Sequence, residues 1–453
     1  MSDLPRTLII KPAFRQGVTH FTTSQLLTLL SLLLGILSGC AATDTTPVAV
    51  AQPIVTATAS PSAVLPSGTV TPEATPDTPI TLHVWWPDAL APSTQERAAL
   101  LLADNVETFR SISPDIMVEM RLKRSQGVGG IMETLRTASL VAPTALPDIA
   151  LVRRADLLTA VRSGYVQSIQ GQVTSAVLGD LYPAALDLGR VSGVLYGLAY
   201  ALDVEHIAYR PAVLTGSFAR FEDVLADTQP FVFPAGVTEG LSDVLLLQYL
   251  SAGGTLTDLN QGKPNVDALK RVLDFYQRAV AAGVIDPAVL NYARSEDYLT
   301  QLNNGQLNAA VVTSTQYLDL LSRGQSLNAA PIPLADGDPA TVVNGWMWVV
   351  VTRDSSRRQA ALRFIEWMVE PDRQATYTRL INMLPSRRAA MRVWDGGDYA
   401  ALTNQLLLNA RQPLLDDGGS ATLRAMQNAL ATVIGGQRTP DEAASDMIEQ
   451  LAR

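Results

Sequence analysis

The chain has 453 residues, a net charge of −9 at neutral pH, 47% hydrophobic residues and a single cysteine, Cys40. The negative balance is spread along the chain instead of gathered in a tail, which leaves no basic groove for nucleic acid. One cysteine excludes an internal disulfide and a thiolate metal cluster, so the fold must rest on packing.

At the start, Arg6, Lys11 and Arg15 precede an uncharged apolar run from Leu26 to Leu37. That layout predicts a secretory signal peptide over residues 1–39. The run is too short to cross a membrane, which takes about 20 apolar residues. Leu37-Ser38-Gly39-Cys40 resembles a bacterial lipobox, and the resemblance implies cleavage before Cys40 and lipidation of its thiol. Several acyl chains, at roughly 0.8 kcal/mol per buried methylene, make a durable tether. Residues 40–79 are rich in Thr, Pro and Ala and carry only Asp44, Glu73 and Asp77 as charges. They read as a disordered linker, because so little apolar surface cannot offset the entropy of ordering.

The remainder is long enough for two packed lobes. Thr81 to Trp86 reads as a strand ending at Pro87, followed by a helix through Ala98, Leu101, Leu102, Val106 and Phe109 with Ser93 or Thr94 as its N-cap. Ile116 to Leu122 alternates as a second strand, a helix follows Gly130, and Pro147 to Val152 forms a buried strand before a helix from Ala155 to Arg162. This alternation predicts an α/β lobe with a mainly parallel sheet, whose ligands sit beyond the carboxyl ends of its strands. Two β-like runs between Gly193 and Tyr209 suggest a crossover between lobes. Helices are expected at 221–225, 241–250, 266–282 and 298–303, strands at 309–312 and 344–352, then helices at 359–369 and 373–380 and a helical tail from Ser420. No fixed-period repeat appears.

Taken in order, the segments resemble the extracellular solute-binding proteins that deliver sugars to ABC importers. The residues that carry the resemblance are Trp85-Trp86, Pro147-Asp148-Ile149, the Gly193–Tyr209 run, Gly253-Gly254, Tyr276 to Ile285, Pro331 to Gly337, Ala360 to Met368, Leu384-Pro385-Ser386-Arg387 and Gly436 to Ala444. The resemblance implies a periplasmic-binding-protein-like fold with two discontinuous lobes joined by crossing hinge strands. On this chain it places lobe one at 80–201 plus 347–385 and lobe two at 202–346 plus 386–453. It also implies a monomer that works with ABC permease subunits, touches the membrane through its lipid anchor alone, and needs no cofactor. The chain departs from the family pattern in three places. Val152-Arg153-Arg154 lacks the usual aromatic, Thr313 to Tyr317 replaces a Gly-Pro-Trp-like turn with Tyr317 as its substitute, and Ile381-Asn382-Met383 stands where a glycine is usual.

A sugar cleft needs aromatic rings for C–H faces and fixed polar groups for hydroxyls. Trp86 and Asp88, at the end of the first strand, meet that need, with Trp85 facing a core. Asp203 lies where the family often carries a sugar-binding carboxylate, with Tyr200 beside it; a hinge residue bonding backbone is the competing reading. Trp346 is expected on a cleft wall and Trp348 in a core, and Arg153 can donate to hydroxyls. Glu296 and Asp297 read as N-terminal charges of a helix.

Enzyme signals are sparse. The histidines are His20, His83 and His206, without metal-ligand spacing, and no nucleophile elbow, Walker loop or dinucleotide fingerprint occurs. A surface glycoside hydrolase stays open as an alternative, because paired carboxylates are plentiful. So does a non-sugar cationic solute such as a polyamine, which suits the acidic balance.

Overall fold

The computed structural model describes residues 79–91, 95–212, 218–227, 230–394, 396–414 and 421–452. The segments read as signal peptide, Cys40 and linker up to residue 78, and the N-cap candidates Ser93 and Thr94, lie outside the described residues.

Three parallel strands open the fold: β1 (Ile80–Pro87) pairs with β2 (Ile116–Lys123) on one side and with β3 (Ile149–Arg153) on the other. A hairpin of β4 (Arg190–Val191) and β5 (Val194–Leu195) leads into β6 (Gly197–Tyr209), one continuous strand where the sequence suggested two runs. β7 (Ala309–Thr313), β8 (Asn328–Ala330), β9 (Val343–Val350) and β10 (Leu384–Pro385) complete the set. The sheet order is β10-β6-β9-β3-β1-β2, and β7 and β8 pair with the far half of β6. Because β9 runs antiparallel to both β3 and β6, the sheet is mixed where a mainly parallel one was expected.

β1, β3 and β9 are apolar at nearly every position because helices cover both faces of this part of the sheet. Leu82, Val84, Trp86, Leu151 and Trp348 pack with Phe109, Phe364 and Tyr377, from helices Glu96–Ile112, Ser355–Met368 and Pro371–Leu380. On the other face Trp85, Ala150, Val152 and Val349 meet Leu135 and Leu157, from helices Ile131–Val141 and Arg154–Arg162. Alternation therefore sends the two tryptophans of β1 to opposite faces, and both faces are core. At the foot of this lobe, Asp148 accepts from the His83 amide at 2.8 Å and pairs with Arg357 at 2.9 Å, tying β3, β1 and helix Ser355–Met368 together.

A second core gathers Ile207, Phe231, Phe233, Tyr276, Val311 and Met426 around the far half of β6 and β7. Its largest helix, Val266–Ala281, starts at Asn265, whose side chain accepts from the amides of Asp267 and Ala268. The helical tail is two helices, Ala421–Ile434 and Pro440–Leu451. Gly435-Gly436 breaks it, Gly436 at φ +68°, and a capping box between Thr439 and Glu442 restarts it. Short helices Ser175–Asp180, Pro183–Leu188, Arg388–Val393 and Gly397–Leu408 had too few turns or too weak a period to stand out in the sequence.

β6 and β9 are the strands that pass from one core to the other. They pair from Gly197↔Val349 to Val204↔Val343, with a register shift between Ala199 and Ala201. Gly345 lets them cross closely: a Cβ there would meet the Ala201 carbonyl oxygen at 2.5 Å and Leu202 at 3.0 Å. Gly345→Ala should therefore cost about 1–3 kcal/mol by overpacking, read as a lower urea midpoint with unchanged slope.

Candidate solute-binding cleft

The crossing pair builds the floor of the site. Side chains two apart on a strand share a face, and directly opposed residues of paired strands project together. Trp346 is opposite Ala201 and Asn344 opposite Asp203, so Trp346, Asn344, Asp203 and Glu205 follow one another along one face of the crossing. This face continues the aromatic core of the first lobe at one end and Ile207 of the second core at the other. Asn344 is exposed, whereas Trp346 is 7% exposed and lies one strand step beyond the fully buried Trp348.

Asp203 is held by the start of helix Ser314–Ser322. It accepts from Ser314 Oγ at 2.6 Å and the Thr315 amide at 2.9 Å, while Ser314 Oγ accepts from the Val204 amide at 3.1 Å. Burial pushes its carboxyl above the usual range, and these hydrogen bonds pull the other way. The residue clasps the crossing strand to lobe-two backbone, as the hinge reading anticipated. Glu205, two residues on, was not singled out in the sequence, although its spacing from Asp203 is the available signal. Its Oε2 is buried without a hydrogen-bond partner among the described residues. Burial first, then the carboxylates of Asp243, Asp203 and Glu296, raise the Glu205 carboxyl well above the ordinary range. Asp243, at the start of helix Asp243–Ser251, is pushed up to about 6 by burial. None of the ion pairs among the described residues involves Asp203, Glu205 or Asp243.

The upper rim comes from the carboxyl ends of β1, β2 and β3. Asp88 is exposed just past β1, where its Oδ1 accepts from the Ser125 amide at 2.8 Å and from Ser125 Oγ. Those bonds, the hydroxyl first, hold its carboxyl below the usual range and fasten the loop after β1 to the loop after β2. Arg153 ends β3 in register with Trp346, but its guanidinium is engaged by Asp156 at 2.9 Å.

Three sequence-predicted contacts lie inside a core in this structure, and a fourth, Trp346, belongs to the margin of the first core at 7% exposed. Trp86 is fully buried with its ring 5.5 Å from those of Trp348 and Tyr377. Tyr200 is fully buried 5.8 Å from Trp86, and its hydroxyl has no hydrogen-bond partner among the described residues. Tyr317 is 4% exposed, donates to the Leu327 carbonyl at 3.1 Å and packs against His206 and Tyr399. The shared cause is a second covered face: period-two reasoning assumes that one side of a strand or helix looks outward, and here neither does. The sequence candidates that remain around the crossing are thus Asp88, Arg153, Asp203 and Trp346, joined by Glu205 and Asn344.

Among the described residues no group of three or more His, Cys, Asp or Glu side chains is placed to hold a metal ion. No helix among them is long and apolar enough to cross a membrane.

Solved structures share this fold. The cyclic α-maltosyl-1,6-maltose binding protein of Arthrobacter globiformis is 16% identical over 83% of this chain and 98% of its own, with a TM-score of 0.63. The sugar-binding protein MalE of Xanthomonas citri is 19% identical over 82% and 98%, with a TM-score of 0.64. A family 1 extracellular solute-binding protein of Bifidobacterium longum subsp. infantis is 14% identical over 83% and 99%, with a TM-score of 0.62. No curated protein matches the chain. The two cores joined by crossing strands are thus the two-lobe α/β architecture of maltose-binding-type proteins. The family model for bacterial extracellular solute-binding proteins matches residues 116–402, well over half of the chain and both crossing strands, and the chain belongs to that family of extracytoplasmic binding proteins, which are not enzymes.

Proposed function

We propose that this protein captures a carbohydrate, a sugar or oligosaccharide, between its two lobes and delivers it to the permease of an ABC importer. The observation that carries the reading is the face of the β6–β9 crossing, where a tryptophan at the margin of the first core stands in line with an amide and two carboxyl groups that lead toward the second. An indole face stacks on a pyranose ring, and Asn344, Asp203 and Glu205 offer acceptors and donors to its hydroxyls. The lobes, at 80–201 plus 347–385 and 202–346 plus 386–453, close about the crossing when a solute touches both, since only differential affinity moves the population. A lipid on Cys40 tethers the monomer to the cell membrane, at its outer face or periplasmic side, and the linker gives it reach.

The test is a thermal-shift and calorimetric panel of mono- and oligosaccharides on the full chain, with mass spectrometry of the recovered ligand. A raised melting temperature with intact sugar is the expected result; cleaved glycan would mean a surface glycoside hydrolase instead. Trp346→Ala should weaken sugar binding by about 1–3 kcal/mol while the protein stays folded. An unchanged dissociation constant would remove Trp346 from the cleft.

One observation favours a second cargo. Asp203, Glu205 and Asp243 crowd together without a neutralising Lys or Arg ion pair among the described residues, which suits a cationic solute such as a polyamine. Calorimetry with spermidine alongside the saccharides separates the two.

A further inference from the structure

Asn382 is one of two non-glycine residues with positive φ among the described residues, at +57°. It ends helix Pro371–Leu380 in a Schellman arrangement: the Asn382 amide donates to the Arg379 carbonyl at 3.3 Å, and the Met383 amide to that of Thr378 at 2.9 Å. Glycine suits this left-handed position because it has no Cβ to clash, and asparagine tolerates it at some cost. The asparagine side chain has a use that glycine lacks. Its Nδ2 donates to Asp319 Oδ1 at 2.6 Å, across 63 residues of chain.

The two partners belong to different cores. Tyr377, Ile381 and Met383, around Asn382, pack with Trp86 and Trp348 of the first core. Tyr317 and Leu320, either side of Asp319, pack with Ile207 and Val311 of the second. The contact also lies at the pivot, since Leu384 pairs with Leu202 on β6 only two residues further on. Helix Ser314–Ser322 is the one whose first turn clasps Asp203, so Asn382 holds from the lobe-one side the element that Asp203 holds from the crossing strand. The other Asp319 oxygen is 3.7 Å from Arg323, on its own helix.

From this geometry we infer that Asn382 and Asp319 form a latch between the lobes that sets their resting angle and, through it, solute affinity. The affinity arm rests on the solute-capture reading above; the angle arm does not. Both are positioning residues and touch no solute. A bond present in one lobe arrangement and absent in another shifts the ratio of the two by its own free energy, and the apparent dissociation constant follows the competent fraction.

Asn382→Gly is the informative variant, because it keeps the left-handed turn and removes only the side chain. Spin labels at Leu140→Cys and Ile448→Cys in a Cys40→Ser full chain report the distance between lobes; both positions are exposed, at 75% and 47%. Asn382→Gly should leave the melting temperature within a few degrees of the parent and move the ratio of long to short distances about 3- to 10-fold. Asp319→Ala should match it, and the double variant should go no further, the signature of one shared interaction. Any saccharide that binds the parent should change its dissociation constant by the same factor as the distance ratio. A distance distribution unchanged in Asn382→Gly, or additive effects of the two substitutions, would overturn the latch whether or not a sugar binds. A shifted distribution with no sugar bound by the parent would keep the latch and overturn the carbohydrate reading instead.

Discussion

Trp86→Ala should destabilise the protein by about 3–5 kcal/mol, the range for removing a large aromatic from a closed core. The indole is fully buried, and its neighbours are other rings: Tyr200 at 5.8 Å, Trp348 at 5.5 Å and Tyr377 at 5.5 Å, all near edge-to-face. Edge-to-face pairs add about 0.5–1.5 kcal/mol each beyond burial, and the rigid sheet behind them cannot collapse into the vacated space. Urea unfolding followed by far-ultraviolet circular dichroism measures the loss directly. Trp346→Ala is the comparison variant, since it removes the same side chain from the margin of this core, one strand step beyond Trp348 and outside the ring contacts, and its main effect is expected on affinity. A Trp86→Ala variant of near-parental stability that no longer bound saccharide would return Trp86 to the cleft wall.

The contrast between these tryptophans shows where sequence reasoning reached and where it stopped. Periodicity placed most elements within a few residues: Val266–Ala281, Ala309–Thr313 and Arg154–Arg162 lie almost where the apolar spacing put them. The two helices have one wet face and one dry face, so their pattern is informative, while Ala309–Thr313 shows as a short apolar run, buried at four of its five positions. Trp85-Trp86 and Tyr200 lie on strands covered on both sides, where every position is apolar and alternation cannot choose a face. Site residues were harder still. Asp203 is legible through the resemblance, as a position where the family often carries a carboxylate, and in the structure it accepts from Ser314 and the Thr315 backbone. Glu205 does not stand out in the sequence because a single Glu in a strand usually faces water, whereas here the acidic starts of helices Asp243–Ser251 and Glu296–Asn303 act on it and one oxygen has no partner among the described residues. The departure from glycine near 382 is visible in the sequence, but only the fold brings Asp319 to it. Contacts between residues far apart in the chain are set by how the lobes assemble, and no local pattern encodes them.

His206→Gln should remove an acid-sensitive contribution to stability of about 3 kcal/mol. His206 is fully buried on β6, with Nδ1 3.1 Å from the Ile207 carbonyl and Nε2 2.9 Å from the Tyr399 hydroxyl. A carbonyl only accepts, so Nδ1 carries the proton and Nε2 accepts from Tyr399, which satisfies the neutral ring completely. Rings of Tyr317 and Tyr399 pack edge-on at 5.1 and 5.4 Å, and burial pushes the imidazole pKa down to about 4. In the unfolded chain the ring titrates near 6.5. Above that pH the ring is neutral in both states and the contribution is fully present. As pH falls, the unfolded chain takes up a proton that the folded one refuses, and stability drops by up to 1.36 kcal/mol per unit until about pH 4. The carboxyls of Asp203, Glu205 and Asp243, all raised by burial, act with the opposite sign in the same window, because the folded state binds their protons more readily. The parent protein alone can therefore show a shallow pH profile that hides both. Unfolding free energies of parent and His206→Gln at pH 7, 5.5 and 4 separate them: the parent's advantage should be largest at pH 7 and shrink by about 3 kcal/mol by pH 4. A difference that stays constant over that range would mean that His206 ionises in the folded state as freely as in the unfolded one, and that its ring is open to water.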